Sequence, residues 1–250
     1  MKKVLKSILL VTCYLSLVTG LTACSSTPKD KPQESAEVLY TRASKQLHKG
    51  SYTQAAKTFE QVELEHPYSK WATEAQLMGA YAHYQSQKYD DAIMALDRFI
   101  RFHPGNKDIA YAYYMKALNY YDQITDVKRD QSVTQKALDA LYQVVSRFPD
   151  TDYAKDANAK IDLVNDHLAG QEMEVGRYYL NQRNYLSALN RFSTVVNEYQ
   201  TTSHIEEALY RQVELYKILG LKDEASNAYK ILSHNYPQGK WTSRAKDLLT

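Results

Sequence analysis

The residue types that carry enzymatic chemistry are present in this chain, but not at the spacings that chemistry needs. There is no G-x-S-x-G, no phosphate-cradling glycine loop, no G-x-G-x-x-G after a strand and no H-E-x-x-H. The seven histidines are scattered, and His66 and His103 each stand directly before a proline, so their placement follows chain architecture. Cys13 and Cys24 are the two thiols; neither is paired with histidines or acids in a ligand cluster of the kind zinc requires. No catalytic residue and no metal site is expected. What remains is binding chemistry: 22 tyrosines, which offer large contact area at low conformational cost, and mixed charges on helical faces.

The element that positions these residues is a repeat. Gly50-x-Tyr52-x-x-Ala55-x-x-x-Phe59 followed by Pro67 returns as Tyr89/Ala92/Leu96/Pro104, Ala137/Leu141/Pro149, Tyr185/Ala188/Phe192 with Gln200 in the proline position, and Ala225/Tyr229/Pro237. The small residue lets the second helix of a pair close on its first, the residue four later fills the same face, and proline stops the helix. Twelve residues before the repeated alanine stand Ala43, Ala80 and Gly176, with Val213 in the fifth copy; Ala117 lies twenty before Ala137. Such spacing matches the tetratricopeptide unit, so an all-α solenoid of five tetratricopeptide-like helix pairs is expected. Four pairs are placed at about 36–66, 71–103, 107–148 and 205–236, the fourth unit carries Tyr185/Ala188/Phe192 between the last two, and the tail with Trp241, Ala245, Leu248 and Leu249 caps the stack. Trp241 follows Pro237 by four residues, as Trp71 follows Pro67.

The alanines recur at steps of 37, 45, 51 and 37 residues, and the two longer steps are informative. The first reflects an insertion of eight residues within Asp122–Ser132, polar enough to be an exposed loop: a tolerated insertion or a partner contact. The second leaves fourteen extra residues between Pro149 and Gly176, four helical turns, so the apolar stripe Ala154, Ala157, Ile161, Val164, Leu168, Val175 and Tyr179 keeps phase. One long helix over about 153–180, weakened at Gly170, is expected in the fourth unit. It divides residues 36–150, repeats 1–3, from residues 151–250, repeats 4–5 and the cap.

On this register, the positions that line the concave surface of tetratricopeptide proteins fall on Tyr40, Tyr81, Tyr84, Tyr111, Tyr114 and Tyr121, read as a peptide-binding groove against the plainer reading of packing between units. In the C-terminal pairs they fall on Met173, Arg177, Asn181, Tyr210, Glu214 and Lys217, read as a docking face for a charged, folded partner or as a solvated face.

Ahead of the repeats lies a leader. Met1 to Lys6 is basic and Ile8 to Leu21 mostly apolar, but Thr12, Ser16, Thr19 and Gly20 interrupt a run already short of the roughly 20 residues a membrane span needs. Residues 1–23 read as a signal peptide. Without Lys2, Lys3 and Lys6 the remainder has 28 basic and 29 acidic residues, which gives no basic surplus for nucleic acid. Loss of Cys13 with the leader leaves no partner for a disulfide. Leu21-Thr22-Ala23-Cys24 resembles the lipobox of bacterial lipoproteins, the alternative being an ordinary cleavage site with an incidental cysteine. The resemblance implies that Cys24 becomes the N-terminus and carries N-acyl and S-diacylglycerol chains, with no other cofactor. Ser25 in place of aspartate then implies sorting to the outer membrane. Residues 24–35, with Pro28 and Pro32, form a flexible lipidated tether.

Lipobox, tether and five units together resemble the BamD family, the tetratricopeptide lipoproteins of the machinery that assembles outer-membrane β-barrels. The more specific matches are His66-Pro67-Tyr68, Asp97-Arg98-Phe99-Ile100-Arg101 leading to Pro104, Ala110-Tyr111-Ala112-Tyr113-Tyr114-Met115, Arg129-Asp130, and Phe148-Pro149-Asp150-Thr151-Asp152-Tyr153. The insertion is short compared with some members. The resemblance implies a non-enzymatic scaffold at the periplasmic face of the outer membrane, held there by lipid alone. Its C-terminal repeats would dock the barrel subunit BamA beside other assembly lipoproteins, and its N-terminal repeats would receive the aromatic-ended C-terminal signals of unfolded barrel precursors. Other periplasmic repeat lipoproteins, such as a secretin pilotin or a division coordinator, and a regulator of cell-wall hydrolysis are the alternatives.

Overall fold

The repeated small residues set the packing of every helix pair. A computed structural model describes residues 33–124 and 132–250, and among these every regular element is helical. The helices are α1 (Ala36–His48), α2 (Tyr52–Glu65), α3 (Lys70–Gln85), α4 (Tyr89–Phe102), α5 (Ile109–Tyr121), α6 (Ser132–Arg147), α7 (Asp152–Asn181), α8 (Tyr185–Glu198), α9 (Ile205–Ile218), α10 (Lys222–Asn235) and α11 (Lys240–Leu249). Residues Ala36–Thr250 form one compact unit, and the 150/151 division falls inside it, at the turn before α7. The leader, Cys24, most of the tether and residues 125–131 of the insertion, with Arg129-Asp130, lie outside the described residues.

Each unit closes on its small residues. Ala55, Ala92, Ala137, Ala188 and Ala225 of the second helices are buried, as are Ala43, Ala80, Ala117, Gly176 and Val213 of the first. Phe59, Leu96, Leu141 and Phe192 fill the space one turn on, each at most 1 % exposed, while Tyr229 is half-buried. In unit four the fit is tightest, for a Cβ at Gly176 would stand 2.6 Å from Cε1 and 2.8 Å from Cζ of Phe192. Glycine is therefore required where α7 crosses α8.

The turns inside units one, two, four and five share one geometry. Gly50, Gln87, Arg183 and Gly220 have φ of 75°, 59°, 58° and 78°, the left-handed conformation that ends a helix. In each, the following N–H reaches back five residues: Ser51 to the Gln46 carbonyl, Lys88 to His83, Asn184 to Tyr179 and Leu221 to Tyr216, all at 2.9 Å. Two of the four hold this conformation without glycine, at a steric cost of roughly 1–2 kcal/mol. Between units the chain turns at His66, His103, Tyr199 and Tyr236, with φ from −135° to −124° and ψ from 45° to 57°. Proline follows three of these residues and restricts them. Tyr199 keeps the same shape before Gln200, so the packing on either side, rather than proline, fixes this turn.

The long helix is α7, 30 residues and about 45 Å at 1.5 Å per residue. It runs through Gly170, which is buried, without interruption. Its first half gives Ala157, Ile161, Val164 and Leu168 to the core shared with α5 and α6, and its second half gives Ala169 and Met173 to the core of α8 and α9. First helices also pack on first helices, α1 on α3, α3 on α5, α5 on α7 and α9 on α11, while α7 and α9 are linked by the Arg177–Glu207 ion pair.

Candidate protein-binding surface

Counted from the small residue of each first helix, the predicted residues occupy five registers. Tyr40, Tyr114, Met173 and Tyr210 stand at −3, Tyr81, Arg177 and Glu214 at +1, Tyr84, Tyr121 and Lys217 at +4, Tyr111 at −6 and Asn181 at +5, but Met173 is fully buried against α8 and α9 and belongs to the core, not to the docking face. At 3.6 residues per turn these fall within an arc of about 100°, one side of each helix.

In the N-terminal half the six tyrosines are half-buried, with ring faces packed between units and hydroxyls at the surface. Tyr40 stacks on Trp71 of α3 at 4.8 Å and meets Phe59 edge-on at 5.5 Å. Tyr81 and Tyr84 lie 6.5 Å apart, and Tyr84 is 6.2 Å from Tyr89. Tyr111 and Tyr114 both pack on Tyr153 of α7, at 5.7 and 5.2 Å. Tyr121 lies under Lys160, whose Nζ is 5.0 Å from the ring centre. Inter-unit packing and a surface aromatic row are thus one arrangement.

A polar ladder runs along it. The Tyr40 hydroxyl donates to Glu74 Oε1 at 2.7 Å, the Tyr84 hydroxyl to Asp122 Oδ2 at 2.6 Å, and the Tyr114 hydroxyl to Asp156 Oδ2. Each donor sits on one first helix and each acceptor on, or at the end of, the first helix of the next unit. Burial, and then these bonds to carboxylates, raise the pKa of all three phenols above the ordinary range. Burial, with the fields of Tyr81 and Tyr153, pushes Tyr111 up to about 12. Asp156 is held low by the Tyr114 bond and by Lys160, whose Nζ is 3.2 Å away.

The C-terminal half carries ion pairs instead. Arg177 of α7 bonds Glu174 at 2.7 Å and Glu207 of α9 at 3.1 Å, while Arg211 bonds Glu207 at 3.4 Å and Glu214 at 2.8 Å. Burial opposes the charge on Arg211, but Glu214 and Glu207 outweigh it and raise its pKa. Arg211 also lies 5.4 Å from the Tyr210 ring centre and 5.6 Å from that of Trp241, and those two rings stack at 5.0 Å. Lys217 donates to the Leu248 carbonyl of the capping helix, so the fold already uses it. Asn181 is exposed at the end of α7. Two anchors hold α9 and the cap. Asp166 accepts from the backbone N–H and hydroxyl of Ser203, both at 2.8 Å, and Glu206 accepts from the backbone N–H of Trp241 at 3.1 Å.

Sequence reasoning missed Trp71, Tyr153, Asp156 and Arg211 as parts of the surface. The signal for the aromatics was available: each stands four residues after a repeat proline, as Trp241 does. Another depression, of about 360 Å³, lies on the far side of α3, between α2 and α4, and is floored by Ala75, Gly79 and His83. Burial lowers the pKa of His83, and Asp91 lies 3.9 Å from its Nδ1. No group of three metal-ligating side chains occurs among the described residues.

A family model described as outer membrane lipoprotein, YfiO, matches residues 32–232. The chain is 48% identical over 211 residues to the outer membrane protein assembly factor BamD of Rickettsia prowazekii, covering 84% of each chain. It is 44% identical over 244 residues to that of Caulobacter vibrioides, covering 96% of this chain and 80% of the relative. Among solved structures it is similar to the tetratricopeptide protein TTC0263 of Thermus thermophilus, at 18% identity and a TM-score of 0.40, over 86% of this chain and 99% of that one. Helix pairs, turns and surface define an α-solenoid of the tetratricopeptide type, with its most elaborate chemistry on one face of the first helices. Within that class, the chain belongs to the BamD family of outer membrane lipoproteins.

Proposed function

We propose that this protein is a non-enzymatic assembly scaffold of the outer-membrane β-barrel machinery, with one surface for incoming chains and one for the resident complex. The observation that carries this reading is the continuous tyrosine row on α1, α3 and α5, which suits an extended, aromatic-rich segment. Unfolded barrel precursors supply such segments at their C-termini. The ion-paired face of α7 and α9 suits a folded partner with complementary charge, and the barrel subunit BamA is that partner. Cys24 anchors the chain by its acyl chains to the periplasmic face, two or more chains being needed for durable attachment.

Capture of precursor peptides by the full chain should weaken on Tyr81→Ala and Tyr114→Ala; unchanged capture refutes the groove. Photocrosslinkers at positions 177 and 217 in intact membranes should label the barrel subunit. Labelling of other proteins alone refutes the docking face. A Cys24→Ser chain should leave the membrane fraction, and retention there refutes the anchor.

A further inference from the structure

A phenol has one proton to donate, and in this row three of them are already committed. The Tyr40, Tyr84 and Tyr114 hydroxyls donate to Glu74, Asp122 and Asp156, and toward a ligand they can then only accept. The three carboxylates are exposed, with acceptor capacity left over. Among the described residues, Lys160 stands beside them, engaged by Asp156 at 3.2 Å and by the Tyr121 ring, and Lys70, one turn before Glu74 on α3, lies 4.9 Å from the Trp71 ring centre. On α3 and α5 the groups are continuous. Asp122 and Tyr84 both act on the Tyr114 phenol, as Tyr81 does on Tyr84 and on Tyr111. The surface therefore presents aromatic faces, hydrogen-bond acceptors and negative charge.

We propose that this face binds an extended segment through its aromatic and basic side chains and its backbone N–H groups, and discriminates against a free terminal carboxylate. The proposal rests on the reading of the row as a peptide site and specifies which part of the peptide is read. A precursor signal would lie with its last aromatic ring on the tyrosines and its terminal carboxylate directed away from Glu74, Asp122 and Asp156. Lysine or arginine near the aromatic residue would meet the carboxylates and the ring faces, both of which attract cations.

The test uses the full chain purified in detergent and a short fluorescent peptide ending in phenylalanine, neutral elsewhere, made as the free acid and as the amide. Fluorescence anisotropy at low salt should show the amide binding tighter by about threefold or more, with the gap closing at high salt. Replacing one neutral residue of the peptide by lysine should tighten binding, and by glutamate weaken it. Asp122→Asn with Asp156→Asn, which keep an acceptor for each tyrosine, should bring acid and amide together. Equal or tighter binding of the acid by the unaltered chain overturns the inference while leaving the peptide site standing. Failure of both peptides to bind overturns the peptide site itself and the inference with it.

Discussion

Gly176 should be the least replaceable small residue of the repeat. In the other units this position is Ala43, Ala80, Ala117 or Val213, so a Cβ is tolerated by the general architecture. In unit four, however, a Cβ would sit 2.6, 2.8 and 3.0 Å from three ring atoms of Phe192, a side chain with no exposed surface. Overpacking of this kind costs about 1–3 kcal/mol, and a contact this short against a ring that cannot swing outward belongs at the upper end. Replacing a mid-helix glycine by alanine returns about 1 kcal/mol of helix propensity. Gly176→Ala should therefore destabilise by about 2 kcal/mol, lowering the melting temperature by about 4–8 °C in a chain of this size. Units two and three pair an alanine with leucine, Ala80 with Leu96 and Ala117 with Leu141, which suggests the rescue. Phe192→Leu alone should cost about 1 kcal/mol through the space it vacates, yet in combination it should accommodate the new methyl group. Urea unfolding of the four-member cycle should then give a favourable coupling of about 1–2 kcal/mol. A coupling near zero, or a Gly176→Ala chain more stable than the original, would refute the steric account.

Three further outcomes follow from the geometry. Gln87→Gly and Arg183→Gly relieve left-handed backbone and should each stabilise by a few tenths to about 1 kcal/mol in thermal unfolding, whereas Gly50→Ala and Gly220→Ala, at the matching φ of 75° and 78°, should destabilise by about 1 kcal/mol. The phenols of Tyr40, Tyr84 and Tyr114 hold their protons more tightly folded than unfolded, so their contribution is complete below pH about 10 and is lost as pH rises from there through the folded values; a chain with all three changed to phenylalanine should show a shallower alkaline loss of stability, and an identical pH profile would refute the ladder. Glu206→Ala removes the acceptor for the Trp241 N–H at the start of α11, and hydrogen exchange should show the capping helix opening more readily by about 1 kcal/mol while α1–α4 are unaffected.

The repeat was legible because its determinants are local. A small residue, an apolar residue four later and a stop signal sit within one helix, and fourteen extra residues preserve helical phase, so α7 and the burial of its first half followed from counting; in its second half Val175 and Tyr179 are only half-buried and the core takes Ala169, Met173 and Gly176 instead. The expected weakness at Gly170 does not interrupt the helix, because that residue is buried against packed neighbours. The polar ladder was not legible, since its donor–acceptor pairs are 34, 38 and 42 residues apart and no short-range pattern marks them. Arg211 escaped notice for a related reason. Its partner Glu214 falls on the expected docking or solvated face, but the third contact, with Trp241, comes from thirty residues away on α11.

The unit interfaces themselves alternate. Register −3 of one first helix faces the residue four places after the repeat proline, or after Gln200, at the start of the next. Both are aromatic at three interfaces: Tyr40 on Trp71 at 4.8 Å and 32°, Tyr114 on Tyr153 at 5.2 Å and 29°, and Tyr210 on Trp241 at 5.0 Å and 32°. At the two interfaces between these the positions hold Leu77 with Asp108 and Met173 with His204, and the stack, worth about 0.5–1.5 kcal/mol beyond its buried area, is missing. Polar bridges stand at both: Tyr84 to Asp122 between units two and three, and Arg177 to Glu207 with Asp166 to Ser203 between units four and five. In a solenoid, stability is a sum of unit and nearest-neighbour terms, so these two junctions are where an added contact changes the array most. One lies in the tyrosine row and the other in the ion-paired face. A peptide engaging Tyr84 and Asp122, and a partner engaging Arg177 and Glu207, would each act on a junction where apolar packing is joined by hydrogen bonds and charge rather than by stacked rings. That places both proposed surfaces where binding can be coupled to the alignment of neighbouring units.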